Sequence, residues 1–293
     1  MMLSRFYYPF KPFFLLLCLI SLVLVSCGSD GSVVLSPGDA TAAATTPESM
    51  VAQINGQGIT VSEFEAELAR HQSAMTKIGS QVSVEESSRR VLDDLIDQTL
   101  LAQGAQELGY SIDETALQTR EDDLISAVGG SEAWTAWLTE NGYSEETFQR
   151  SLERAIEAGW MSDQIIASVS DTADQVHAQK IMSSDPEEAQ AIWEGLNSGE
   201  DFKDFVDPVT LGELGWFPRG YLPEPAIEEA AFSLQPGQYS NVIETEVGYY
   251  IVMVIDRDAH RLLSPDALLA LQGHALVEWL TTRREQGTII LTP

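Results

Sequence analysis

Cysteine is nearly missing from this sequence: of 293 residues only Cys18 and Cys27 carry a thiol, both near the amino terminus. A disulfide framework and a thiolate metal site are therefore excluded for the body of the chain. Histidine is scarce too. His71, His177, His260 and His274 are scattered, with no pair at metal-ligand spacing, so no metal or other cofactor is indicated. Positive charge is the third shortage. Lys and Arg number 16 against 45 Asp and Glu, a formal net charge of −29. Phosphate recognition needs clustered cations, so nucleic acid is excluded as a partner, as is electrostatic docking on anionic lipid. An apolar run long enough to cross a bilayer is also lacking at the amino terminus, where Phe13–Val25 spans 13 residues against the ~20 a spanning helix needs. What remains, 44% hydrophobic and 21% charged residues, is a globular balance.

The short run has a use of its own. Preceded by Arg5 and Lys11, it matches the apolar core of a secretory signal. It ends in Leu24-Val25-Ser26-Cys27 followed by Gly28-Ser29-Asp30, which resembles the bacterial lipobox. That resemblance implies removal of residues 1–26, acylation of Cys27, and an extracytoplasmic protein tied to a membrane by its lipid chains. An uncleaved short anchor, or an ordinary signal with a chance cysteine, is the alternative. Residues 27–49, rich in Gly, Ser, Ala, Thr and Pro, bury too little apolar surface to fold and read as a flexible tether.

Residues 50–172 read as mostly helix. Val51–Ile54, the turn signal Asn55-Gly56 and Gly58–Thr60 suggest a small hairpin. Ser62 with Glu65, Ser83 with Glu86 and Ser111 with Glu114 have capping-box spacing, and Ser144 is a weaker opener because Thr147 stands where the box wants Glu or Gln. Leu92, Leu95 and Ile96 paint one helix face. Gly129-Gly130 and Asn141-Gly142 separate helices. Paired acids such as Asp93-Asp94 and Asp122-Asp123 read as solvated faces, and no catalytic constellation is visible.

Met50–Thr60, Ser62-Glu63-Phe64 and Leu92–Leu101 together resemble the N-terminal domain of SurA/PrsA-type extracytoplasmic foldases. The resemblance implies a helical domain that binds unfolded client polypeptides.

Residues 173–260 alternate short strands and helices. Val176–Met182 reads as a strand, Asp185-Pro186 caps a helix, Asp201-Phe202 opens a short one, and Glu228–Leu234 forms another, ended by Pro236-Gly237. Val242-Ile243 and Gly248–Val254 close the block as strands. The segments Gly212–Gly220, Glu228–Leu234 with Pro236-Gly237, and Val247–Ile251 occur in the order that resembles a parvulin-type (PpiC) peptidyl-prolyl isomerase domain. The resemblance implies a proline slot formed by Leu214, Leu222 and Ile227, the last replacing an aromatic residue. The family's two histidines fall on Lys180 and Tyr250, and the shortened loop that normally brings a Cys or Asp leaves Asp207. His177, three residues before Lys180, would face the other side of a strand. The alternatives for Lys180 and Tyr250 are a hydrogen-bonded pair that steadies the twisting amide, or a solvent-seeking lysine beside a packed tyrosine. Rotation about an X-Pro bond involves no covalent intermediate; a thousandfold acceleration takes about 4 kcal/mol of selective stabilisation.

The tail, residues 264–293, opens with Ser264-Pro265-Asp266, continues as a helix and ends in the strand-like Ile289-Ile290-Leu291. By the same resemblance it packs back on the helical domain. The expected fold class is α+β: a mostly helical SurA-N-like domain completed by the C-terminal helix, and a parvulin-like domain with a small antiparallel sheet. The expected function is that of an exported, lipid-anchored folding factor acting on unfolded or proline-containing clients, an isomerase and chaperone. The competing reading is a non-enzymatic chaperone whose parvulin-like domain only binds client segments.

Overall fold

A computed structural model describes residues 49–207 and 212–292. The signal, Cys27 and the tether ahead of Ser49 lie outside the described residues. The chain divides into two compact units: one takes residues up to Asp163 together with those from Leu280 onward, the other Gln164–Trp279.

The first unit opens with β1 (Met50–Ile54) and β2 (Gln57–Thr60), an antiparallel hairpin turned on Asn55 and Gly56 at φ 50° and 91°. Positive φ at both central residues is what a two-residue hairpin turn of matching twist requires. Five helices follow: α1 (Val61–Lys77), α2 (Val84–Glu107), α3 (Glu114–Val128), α4 (Ser131–Glu140) and α5 (Glu145–Ala167).

The caps differ in part from the spacing argument. Ser83 caps α2, accepting from the Glu86 N–H at 3.1 Å. For α1 the cap is Thr60, which accepts from the Glu63 N–H at 3.2 Å, not Ser62 with Glu65. Strand β2 runs straight into the helix, so Ser62 already lies inside its first turn. At α3 the cap is Asp113, accepting from the Ala116 N–H at 2.9 Å, and Ser111 stays outside. At α5 a threonine serves as the reciprocal partner: Ser144 Oγ accepts from the Thr147 N–H at 3.1 Å and Thr147 Oγ1 accepts from the Ser144 N–H at 2.9 Å.

Val91, Leu95, Ile96, Leu100 and Leu101 of α2 are buried. A second cluster joins Trp134 and Leu138 of α4 to Phe148 and Leu152 of α5, with Trp134 edge-on to Phe148 at 4.7 Å. Within the unit one charge is out of place. Glu157 of α5 is 1% exposed; its Oε2 accepts from Gln106 Nε2 at 2.7 Å, while Oε1 makes no well-formed hydrogen bond. Burial pushes its carboxyl above the usual range, with the Gln106 bond and the Ile112 backbone N–H opposing the push and the Glu153 charge adding to it.

The second unit contains β3 (Thr172–Ser183), α6 (Pro186–Ser198), a 3-10 turn at Phe202–Asp204, β4 (Glu213–Pro218), α7 (Pro225–Ser233), β5 (Ile243–Thr245) and β6 (Gly248–Leu262). The strands form one antiparallel sheet in the order β4-β3-β6-β5. Two strands exceed their sequence boundaries, because β3 and β6 pair with each other from Thr172↔Leu262 to Ser183↔Tyr249. Helix α7 likewise begins at Pro225, ahead of Glu228, with the proline in its first turn where no N–H is needed. Each face of the sheet has its own core. Val176, Ala178, Phe217, Tyr250, Val252 and Val254 pack with Ile227, Ala231 and Phe232 of α7. On the opposite face Ile181 and Ile251 pack with Leu196 of α6 and Phe202.

The chain ends in α8 (Pro265–Gln286) and β7 (Ile289–Leu291). Strand β7 pairs antiparallel with β1, Ile289 opposite Ile54, so the first and last strands share one three-stranded sheet, β2-β1-β7. Arg284 donates from Nε to Asp97 Oδ1 at 2.7 Å and from Nη1 to Asp93 Oδ1 at 3.3 Å. Burial holds the Asp97 carboxyl above its usual range even with Arg284 beside it.

Candidate functional site

The parity of β3 decides which of its polar residues share a face. Lys180 lies opposite Val252 in β6, and Tyr250 is the next residue of β6 on the same face. The Lys180 ammonium sits over the Tyr250 ring, 5.4 Å from its centroid. This is a cation over an aromatic face, an arrangement worth roughly 0.5–1 kcal/mol at an exposed site. Tyr250 is itself part of the core, 5% exposed.

The three apolar positions gather on the same side. Leu214 of β4 and Leu222 in the loop before α7 are half-buried and pack against the cluster of Tyr250, Val252 and Phe217. Ile227 lies within that cluster at 4% exposure, so it underlies the half-exposed leucines. Five of the six residues singled out in this domain thus meet around one cluster. Asp207 does not join them. It is exposed and follows Phe205 and Val206, which pack on the opposite face with Ile181 and Ile251. His177 also belongs to that other side. Its Nε2 is 3.0 Å from Glu213 Oε2 and its ring stacks on Trp216 at 5.4 Å.

The position of Lys180 is fixed by a backbone contact that tolerates only glycine. The Lys180 N–H donates to the Gly212 carbonyl at 2.7 Å. Gly212 has φ +63°, and a Cβ there would stand 2.2 Å from the Lys180 carbonyl oxygen. One residue that sequence reasoning treated only as a helix former has a larger part: Glu228 reaches back from α7 to the loop carrying Leu222, accepting from the N–H groups of Gly220, Tyr221 and Leu222. An acid in the first turn of a helix signals a favourable dipole interaction; nothing in spacing alone distinguishes that from a loop clamp.

The family described as the SurA-like N-terminal domain matches residues 8–161, more than half of the chain. The PPIC-type PPIase domain matches residues 186–256. The chain belongs to the SurA/PrsA-type parvulin foldases. Among relatives, the foldase protein PrsA of Caldanaerobacter subterraneus subsp. tengcongensis is 27% identical over 266 residues, covering 82% of this chain and 80% of that protein. The periplasmic chaperone PpiD of Haemophilus influenzae is 34% identical over 102 residues, covering 32% of this chain and 16% of the relative. The crystal structure of the peptidylprolyl isomerase PrsA from Bacillus anthracis is 21% identical, covering 67% of this chain and 96% of that one at a TM-score of 0.39. The α+β arrangement of a helical unit and a small antiparallel sheet is the one this foldase family combines. Among the described residues no helix is long and apolar enough to cross a membrane.

Proposed function

We propose that this foldase works outside the cytoplasm, held to a membrane by acyl chains on Cys27, and that it acts on unfolded polypeptides. Its helical unit holds client chains, and its parvulin-like unit receives prolyl segments in the slot of Leu214 and Leu222, with Ile227 beneath and Lys180 and Tyr250 beside it. The observation that carries the reading is the convergence of these five residues around one core cluster, four of them within the segment that matches the PPIC-type domain and Lys180 six residues ahead of it. An apolar slot receives the proline ring, and a polar edge meets the amide as it twists, when its partial double-bond character is lost. Holding rests on different physics: exposed apolar surface such as Ile78, Val84 and Leu108 in the helical unit, at 72%, 65% and 63% exposure, offering many weak contacts.

Two substitutions separate the tasks. Lys180→Ala with Tyr250→Phe in the full chain is expected to lower protease-coupled isomerisation of a short X-Pro peptide while leaving suppression of client aggregation unchanged. Strong turnover indifferent to the pair would show that the reacting positions lie elsewhere; loss of holding would make the parvulin-like unit the client site. A second reading, a parvulin-like unit that binds without turning over, is favoured by one observation: Lys180 and Tyr250 stand where the family resemblance places histidines, and Tyr250 is packed into the core. No turnover by the native chain, with prolyl peptide still bound, selects it. For the anchor, Cys27→Ala is expected to leave the protein unacylated and released from membranes; normal membrane fractionation of that variant would refute the attachment.

A further inference from the structure

The loop of residues 219–224 links β4 to α7 and contains a left-handed residue, Gly220 at φ +80°. Its three successive N–H groups converge on a single carboxylate. Glu228 Oε1 accepts from Gly220 at 2.7 Å, and Oε2 accepts from Tyr221 at 3.0 Å and from Leu222 at 3.1 Å. Successive N–H groups turned to one side form an anion-binding concavity, and bonds to an ionised acceptor are about twice as strong as neutral ones. Here the protein fills the concavity with its own side chain. Glu228 also follows Ile227, which is 4% exposed in the cluster beneath the slot. One turn of α7 therefore anchors the floor with one residue and the loop with the next. The Arg219 guanidinium, over the Phe232 ring at 4.3 Å, is a second tie between the same two elements.

The three slot residues are not held equally without this clamp. Leu214 sits on β4 at a bulge, between Gly215 and Glu213, which are both paired with β3. Ile227 is fixed by the helix. Leu222 has only the loop, and a loop is the most mobile support a binding residue can have. We infer that Glu228 is a positioning residue for prolyl-segment binding: it acts through the loop amides, holding Leu222 at the slot so that its ordering does not have to be supplied at the moment of binding. The inference rests on the reading of Leu214 and Leu222 as the slot.

A blocked tetrapeptide with a central Ala-Pro bond, titrated into the full chain by NMR, tests it. Glu228→Ala is expected to weaken binding about tenfold, the order of one ordered side chain and its loop. Glu228→Gln retains one accepting oxygen and presents an amide that cannot accept, so it should fall between, and it serves if the alanine variant folds poorly. A residue that merely stabilised the fold would not act through Leu222. Adding Glu228→Ala to Leu222→Ala should therefore cost no further affinity, and exchange of the Gly220, Tyr221 and Leu222 amides should quicken in Glu228→Ala while β3 amides stay protected. Unchanged affinity in Glu228→Ala, or losses that add across the two substitutions, would overturn the positioning role alone. A native chain that binds no prolyl tetrapeptide overturns the slot itself, and the inference with it.

Discussion

Replacing Glu157 by glutamine should make the helical unit more stable at neutral pH, although it deletes a charge without adding a contact. The side chain is 1% exposed, and its Oε1 makes no well-formed hydrogen bond, the Ile112 N–H easing its charge only in part. An unsatisfied buried group costs about 1–3 kcal/mol, and more when it is charged. Glu153, four residues earlier on α5, adds a like-charge term of roughly 0.2–0.5 kcal/mol. Glutamine removes both costs and still accepts from Gln106. Against this stand the weaker neutral bond and an amide donor left unpaired, together about 1–2 kcal/mol. The net expectation is a gain of about 1 kcal/mol at pH 7.

The pH dependence tests the cause. Because the folded carboxyl binds its proton more tightly than the unfolded one, whose ordinary value is 4.5, the native chain gains stability from this group as pH falls. That contribution is complete below about pH 4.5 and is lost as pH rises through the folded value. The advantage of glutamine should therefore be largest at neutral pH and vanish near pH 4, where the native acid is itself neutral. Amide exchange in α5, read at both pH values, reports the unit without interference from the rest of the chain. A less stable variant at pH 7, or a gain that persists at pH 4, would refute the reasoning.

Two further substitutions have defined outcomes. Gly212→Ala puts a Cβ against the Lys180 carbonyl in a left-handed backbone and disturbs the β3–β4 register; a loss of about 2–4 kcal/mol is expected in the sheet unit, seen as a lowered melting transition, and native-like melting would count against the contact. Arg284→Met strips Asp97 of its partner and should cost the helical unit about 1–2 kcal/mol at neutral pH. That loss should shrink on acidification, because burial already raises the Asp97 carboxyl and protonation removes the charge that needs pairing; denaturation at pH 7 and pH 4 decides.

The parts of this fold legible in the sequence are those written in local chemistry. Asn55-Gly56, Ser83 with Glu86 and Asp185-Pro186 each satisfy a requirement set within a few residues, and each stands where that requirement places it. The apolar stripe on α2 is local in the same sense. Local spacing misleads where a neighbour decides. Ser62 has the spacing of a cap, but β2 delivers the chain to the helix at Thr60. Strand β6 continues through Asp256–His260, exposed residues without a buried-face alternation, because β3 pairs with them. The slot residues were nameable only through family resemblance, since a half-buried leucine has the same chemistry as any other. That Lys180 meets the Tyr250 ring, and that Glu228 grips a loop six to eight residues away, are outcomes of register and helix phase that no spacing rule contains.

The pairing of β7 with β1 sets an order on how the molecule comes into being. A chain made from its amino terminus delivers Met50–Ile54 early and Ile289–Leu291 late. Everything needed for the four-stranded sheet, from Thr172 to Leu262, arrives in between. The sheet unit can therefore close on its own while the helical unit waits with an open strand edge for a partner more than two hundred residues downstream. Bringing such distant ends together is the slow part of folding. A folding factor of this design passes through a stage in which it is itself an incomplete chain with an unpaired edge, subject to the same hazard as the clients it would serve.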